Sequence, residues 1–251
     1  MAEIAQESGH WYTPDGQPAY TYRAKDGTEK PTTLRQARAN GYYPSVTTIL
    51  RCAAAPGLEK WKITQAIQSA LTLPRLPDEP LDAFAERVVL DSQEQGKRAR
   101  ERGSEVHGHI ELALQGKPHG DVELVAHVLD ECEKHLGADW QDLSAERSFA
   151  CKELAYAGKV DLHGRNFVLD FKTTSKIKPD HRAWPEMLQQ LVAYRYGLML
   201  PLNARLLNVF IGLEDGQVKI IEHDDFDEQE QAWECFKALL AYWRASKGYA
   251  P

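Results

Sequence analysis

With 251 residues, the chain is long enough to bury a substantial core in one large domain, or in one domain with an elaborated end. A hydrophobic fraction of 43% beside a charged fraction of 27% predicts a soluble globular protein, and no apolar run approaches the roughly eighteen residues a membrane-spanning helix needs. A formal charge of -7 argues against a protein that coats nucleic acid by bulk attraction.

The opening segment, MAEIAQESGHWY, carries two glutamates and lacks the basic and apolar regions of an export signal, which predicts a reducing, cytoplasmic location. Residues 10–30 alternate aromatic and polar side chains around two Asp-Gly turns, the pattern of short antiparallel strands in a β-rich N-terminal cap. Ser45 in PSVTTIL offers an N-cap before an apolar stretch, and LEKWKITQAIQSALTL at 58–73 has apolar residues at helical spacing. PRLPDEP, with three prolines in seven residues, ends that helix and reads as an exposed connector or a lid. The helical pattern resumes at 81–115, with a break near Gly103, and again at 122–136.

Three strand-like runs follow, ERSFACKE, AYAGKVDLHG and NFVLDFKTT, and they read as an antiparallel meander. Next come a helix, AWPEMLQQLVAYRYGLML, two strands, ARLLNVFIGL and GQVKIIEH, and an amphipathic helix from about Asp227 to Ser246. The order is mixed α/β without an internal repeat. Residues 1–80 form an N-terminal elaboration of β-hairpins and helices within the same globule, and 81–251 form the core. Cys52, Cys132, Cys151 and Cys235 show neither a CxxC pair nor zinc-ligand spacing and read as buried thiols.

The chemistry concentrates in one stretch, where Asp161 is followed across a two-residue Gly-Arg turn by Asp170-Phe171-Lys172. Pairing the two strands brings the acids together. Within the second strand Asp170 and Lys172 share a face, while Phe171 points away into apolar packing. Two carboxylates on one face repel unless a cation joins them, and hard divalent ions such as Mg²⁺ or Mn²⁺ take oxygen ligands of this kind. Taken alone, Asp170 and Lys172 read more readily as a surface ion pair worth about 0 to 1 kcal/mol.

The arrangement resembles the PD-(D/E)XK nuclease superfamily, in particular its RecB-like and phage-encoded exonuclease branch. Asp161 in AGKVDL is similar to the first acid, Asp170 and Lys172 to the (D/E)XK pair, RGSEVHGHIE to the branch's helical motif, and Gln190 with Tyr194 to its QxxxY motif. Val160 stands where the superfamily's name has proline. The resemblance implies a restriction-endonuclease-like core, a central mixed sheet flanked by helices, and a Mg²⁺- or Mn²⁺-dependent deoxyribonuclease. It implies Asp161, Asp170, Lys172, Gln190 and Tyr194 as catalytic residues, and His107, Asp161, Asp170 and the Phe171 backbone carbonyl as metal ligands. Glu111, one helical turn beyond His107, and Glu146 are further ligand candidates, each also readable as a second-layer or solvated glutamate. Arg102, Ser104, Thr173, Lys176 and Arg182 are candidate DNA contacts, and Trp11, Tyr12, Tyr42, Tyr43 and Trp61 are candidate stacking platforms or core.

The implied substrate is linear duplex or single-stranded DNA, with exonucleolytic action in phage recombination, replication or degradation. A homo-oligomer and a recombination partner such as a single-strand annealing protein belong to the same picture. Two rivals stand beside it: a structure-specific endonuclease using the same site, and a non-catalytic DNA-binding protein on this fold, for which a missing acid or lysine would be the sign.

Overall fold

The computed structural model describes residues 10–53 and 56–251. Its N-terminal part is built from two small antiparallel pairs. β1 (Trp11–Tyr12) pairs with β4 (Tyr43–Pro44), and β2 (Thr21–Arg23) with β3 (Glu29–Pro31). The Asp-Gly turns form as the sequence predicts, with Gly16 and Gly27 at φ of 86° and 81°, a region that costs glycine nothing. Thr33 caps α1 (Leu34–Asn40) in a reciprocal box with Gln36, and Ser45 caps α2 (Val46–Leu50) by accepting the Thr48 N–H.

Long helices follow: α3 (Pro56–Thr72), α4 (Leu81–Leu114) and α5 (Val122–Leu136). The proline-rich connector between α3 and α4 is a clasped turn, because the Arg87 guanidinium holds the Glu79 carboxylate at 2.6 and 2.9 Å and the Pro74 carbonyl at 2.8 Å. The expected break at Gly103 does not occur. α4 runs unbroken for 34 residues, and Gly103 serves instead as a point of close approach: a Cβ there would lie 2.6 Å from Thr173 Oγ1.

The centre is a five-stranded mixed sheet of β5 (Ser144–Cys151), β6 (Tyr156–His163), β7 (Phe167–Thr174), β8 (Arg205–Gly212) and β9 (Val218–Glu222), in that spatial order. The first three strands form the predicted antiparallel meander. α6 (Pro185–Gly197) then carries the chain over to β8, parallel to β7, and α7 (Phe226–Lys247) closes the fold. The β6–β7 connection has three residues, Gly164 to Asn166, rather than two, because the Asn166 carbonyl accepts the Arg205 N–H at 2.7 Å and is drawn toward β8.

Each sheet face carries its own apolar core. One gathers Tyr156, Val160, Val168 and Leu206 against Leu191 and Val192 of α6 and Phe236, Leu240 and Trp243 of α7; the other gathers Leu162, Phe167, Leu169, Phe171 and Val209 against Val106 and Ile110 of α4 and Val125 and Val128 of α5. Side chains such as Phe236, Phe171 and Leu206 are fully buried, each worth roughly 1.5–3 kcal/mol of transfer free energy. The N-terminal elements belong to the first core: Trp11, Val46 and Ile49 lie inside it, and Ser45 bridges to Ala157 of β6. Trp11 and Tyr12 are therefore core residues, 3% and 2% exposed, and not stacking platforms. Cys132 and Cys151 are buried as expected, whereas Cys52 is only partly buried and Cys235 lies exposed on the outer side of α7. Among the described residues no helix is long and apolar enough to cross a membrane.

Candidate metal centre at a fork in the sheet

β6 and β7 pair only beside their connecting loop, Leu162 with Leu169 and His163 with Val168. Beyond that point β6 stays with β5 and β7 stays with β8, so the sheet forks. Asp161 and Asp170 stand at the mouth of the fork. The Asp161 carboxylate accepts the Phe171 N–H at 2.9 Å and so occupies the opening between the strands.

A local irregularity makes this possible. Residues two apart in a regular strand share a face, yet Val160 packs into the α6–α7 core and Leu162 into the α4–α5 core. On the neighbouring strand, Glu146 lies between the Ala145–Leu162 and Arg147–Val160 pairs, facing Asp161, with φ at +52°. Both strands thus change face at the same level, as a bulge does when it re-aims a side chain.

On β7 the alternation holds as predicted: Phe171 enters the α4–α5 core, and Asp170 and Lys172 face α6. That helix is buried on nearly every side, so its polar residues must find partners within the protein. Gln190 Nε2 donates to Asp170 Oδ1 at 2.8 Å and to the Tyr194 hydroxyl at 2.8 Å, and Gln190 Oε1 accepts from Lys172 Nζ at 3.3 Å. Lys172 Nζ also lies 2.6 Å from Asp170 Oδ2. Burial pulls the Lys172 ammonium down, but the charges of Asp170 and Asp161 outweigh it and hold the pKa above the usual lysine value. Lys172 is therefore a cation here, suited to orient a water or stabilise developing negative charge rather than to accept a proton.

His107 reaches the fork from the other face of the sheet. Gly103 precedes it by one helical turn on the same side of α4 and permits the close approach to Thr173. The His107 ring meets Phe171 edge-on at 6.0 Å, and its Nδ1 lies 3.5 Å from Asp161 Oδ2. Burial lowers the His107 pKa, which keeps a ring lone pair available. Burial and the nearby Asp170 charge raise the Asp161 pKa, the expected response of two carboxylates facing one opening.

The donor set fits a hard divalent ion. Ligand atoms 3.5 Å apart can both reach an ion at about 2.1 Å, and carboxylate oxygens, a neutral imidazole and the Phe171 carbonyl suit Mg²⁺ or Mn²⁺. The Asp170 carboxylate is turned to its nitrogen donors, and His107, Asp161 and Asp170 do not draw their ligand atoms within 4.8 Å of one another. Among the described residues the group that does is His127, Asp130 and Glu131 on the surface of α5, two of them exposed. Its i, i+3, i+4 spacing is that of neighbours on a solvated helix face. A cavity of about 970 Å³ bordered by Val192, Arg195, Met199, Phe226 and Trp233 includes none of the fork residues.

The remaining candidates divide. Glu146 forms an ion pair with Lys159 beside Asp161, and its charge contributes to the raised Asp161 pKa. Glu111 accepts from Gln115 at 3.0 Å and stays out of the fork's hydrogen bonds. Arg102 is held by Asp121 through two bonds of 2.8 Å and by Glu105 at 2.7 Å, so its guanidinium braces the start of α5. Thr173 packs on Gly103, Lys176 lies 3.5 Å from Glu214, and Ser104 and Arg182 are exposed. Tyr42 and Tyr43 are partly buried, while Trp61, 41% exposed, rests beside Gly96 of α4.

Two residues of the constellation escape a motif search. Asn208, 0% exposed on β8, donates from Nδ2 to Asp170 Oδ2 at 3.2 Å, and its Oδ1 meets His223 Nε2 at 2.9 Å. The available signal is one amide in the otherwise apolar run LLNVFIG.

No family profile and no curated protein matches this chain. Among solved structures, the crystal structure of a protein named SSO0001 aligns at 12% identity with a TM-score of 0.27, covering 72% of this chain and 85% of that one. A likeness of that size carries no argument about fold or activity. The chain is a mixed α/β protein with a central mixed five-stranded sheet flanked by helices, and its candidate site rests on its own residues.

Proposed function

We propose that this protein is a Mg²⁺- or Mn²⁺-dependent DNA exonuclease of the PD-(D/E)XK class, with β5–β9 and α4–α7 as a restriction-endonuclease-like core. One observation carries the reading. Asp161 and Asp170 come from two strands that separate at their level, with Lys172 against Asp170 and His107 Nδ1 3.5 Å from Asp161 Oδ2. Two carboxylates facing one opening, with a partly buried lysine against one of them, have no ready structural use at a point where strands part. It has a catalytic one.

Asp161, Asp170, His107 and the Phe171 carbonyl would hold the ion, which supplies polarisation of the scissile phosphate and acidification of a water. Lys172, kept protonated by the two acids, donates to that water or to a phosphate oxygen. Gln190 fixes Asp170 and Lys172 together, and Tyr194 anchors Gln190. Exposed Lys97, Arg98 and Arg100 on the helix that bears His107 offer phosphate contacts despite the negative net charge. The wider reading is a phage-encoded enzyme of DNA recombination, replication or degradation in the host cytoplasm, with an annealing protein as a partner.

The test uses end-labelled linear DNA and covalently closed circular DNA, each with Mg²⁺, Mn²⁺ or chelator. Metal-dependent loss of the linear form with the circle intact supports the exonuclease. Cutting of the circle identifies the endonuclease alternative, and inertness toward every DNA refutes both.

A further inference from the structure

We infer that Asn208, held by His223, is a positioning residue that sets the orientation of the Asp170 carboxylate as a metal ligand; the inference rests on the metal-site reading above. Asn208 is the direct parallel-register partner of Asp170 across β7 and β8, and both side chains face the α6 side of the sheet. Every other residue from Leu206 to Gly212 is apolar and buried. Leaving a buried amide unpartnered costs about 1–3 kcal/mol, so an asparagine at this place requires satisfied bonds on both ends.

Both ends have them, and each fixes the other. A carboxylate only accepts hydrogen bonds, so the amide must present Nδ2 to Asp170 Oδ2. Oδ1 then faces His223, whose Nε2 must carry its proton to donate across 2.9 Å. Residue 223 is itself pinned, because its N–H donates to the Leu206 carbonyl at 2.9 Å and its carbonyl accepts Gln229 Nε2 at 2.6 Å. Asp170 Oδ1 is held by Gln190 on α6, and Oδ2 is shared by Lys172 on β7 and Asn208 on β8. Of the two donors at Oδ2, Lys172 is a charged group on a flexible stem, whereas Asn208 is short, neutral and locked from behind. That makes Asn208 the fixed stop against which the carboxylate is set.

The experiment is calorimetric titration of the full-length protein with Mn²⁺, without DNA, alongside thermal melts of the metal-free protein. Asn208→Leu should weaken Mn²⁺ binding about 10- to 100-fold, the usual effect of removing a hydrogen-bond partner from a ligand. His223→Phe should weaken it less, roughly 3- to 10-fold, and His223→Gln, which can still donate, should restore most of the loss. Val209→Ala, a buried neighbour facing the other core, controls for loss of stability and should leave affinity unchanged. If Asn208→Leu does not fold, the His223 pair decides the matter. Wild-type affinity in Asn208→Leu or His223→Phe, or an equal loss in Val209→Ala, overturns the positioning role. Wild type that binds no Mn²⁺, or Asp170→Ala that binds as wild type does, overturns the metal-site reading and this inference together.

Discussion

The Asp161 carboxylate accepts the Phe171 backbone N–H at 2.9 Å, so a side chain from β6 makes a hydrogen bond where the backbone ladder between β6 and β7 has already parted. This bond places the first acid beside the Asp-Phe-Lys run without regular strand pairing, and His107 Nδ1 lies 3.5 Å from the same Asp161 oxygen.

The two acids give the metal-free protein a defined pH response. The Asp161 pKa is raised, by burial first and the Asp170 charge second. A raised acid stabilises the fold fully below the ordinary carboxylate value of about 4, and that contribution is lost as pH rises through the native pKa. Melting temperature in chelator should therefore fall across this window, and Asp161→Asn should flatten the fall. On the proposed metal-site reading, Mg²⁺ or Mn²⁺ would bind the ionised pair and should raise the melting temperature more at high pH than at low. Identical pH slopes for wild type and Asp161→Asn would contradict the assignment.

Gln190 and Tyr194 should differ in weight. Gln190→Leu strips Asp170 Oδ1 and the Tyr194 hydroxyl of a donor in a buried setting, at a cost of about 1–3 kcal/mol. Tyr194→Phe leaves the Gln190–Asp170 bond intact and should cost about 1 kcal/mol or less. Urea unfolding of both variants checks the order, and a larger loss for Tyr194→Phe would refute it.

Gly103 and Thr173 should be coupled. Gly103→Ala gains up to about 1 kcal/mol of helix propensity but drives a Cβ to 2.6 Å from Thr173 Oγ1, a clash of the kind that costs about 1–3 kcal/mol. The single variant should be destabilised, and the same substitution in a Thr173→Ala background should be neutral or stabilising. Additive effects in the double-mutant cycle would show that α4 does not approach β7 there.

These relationships mark what the sequence made legible. The order of elements from α2 onward, the Ser45 cap and the shared face of Asp170 and Lys172 follow from periodicity and local hydrogen-bond chemistry, which a single strand or helix already contains, whereas α1 (Leu34–Asn40) is not read from the sequence. What it hid depends on contacts between distant elements. A glycine inside a helical pattern looks like a break until β7 is seen packed against it, and Trp11 reads as a strand aromatic until Trp243 of α7 and Tyr249 pack on it. The switch of face between Val160 and Leu162 needs the matching irregularity at Glu146, fourteen residues away from Val160 in the chain. Asn208 has no motif around it and acquires its meaning from the parallel register that sets it beside Asp170.

The most direct test of the central claim is release of end label from linear DNA by wild type, Asp170→Ala and Lys172→Ala, in Mg²⁺, in Mn²⁺ and in chelator. The account predicts metal-dependent release by wild type and a loss of about a hundredfold or more in each variant, with metal-free melting curves that remain cooperative. Wild type that leaves the DNA intact in both metals, or an Asp170→Ala variant that digests as well as wild type, would contradict it.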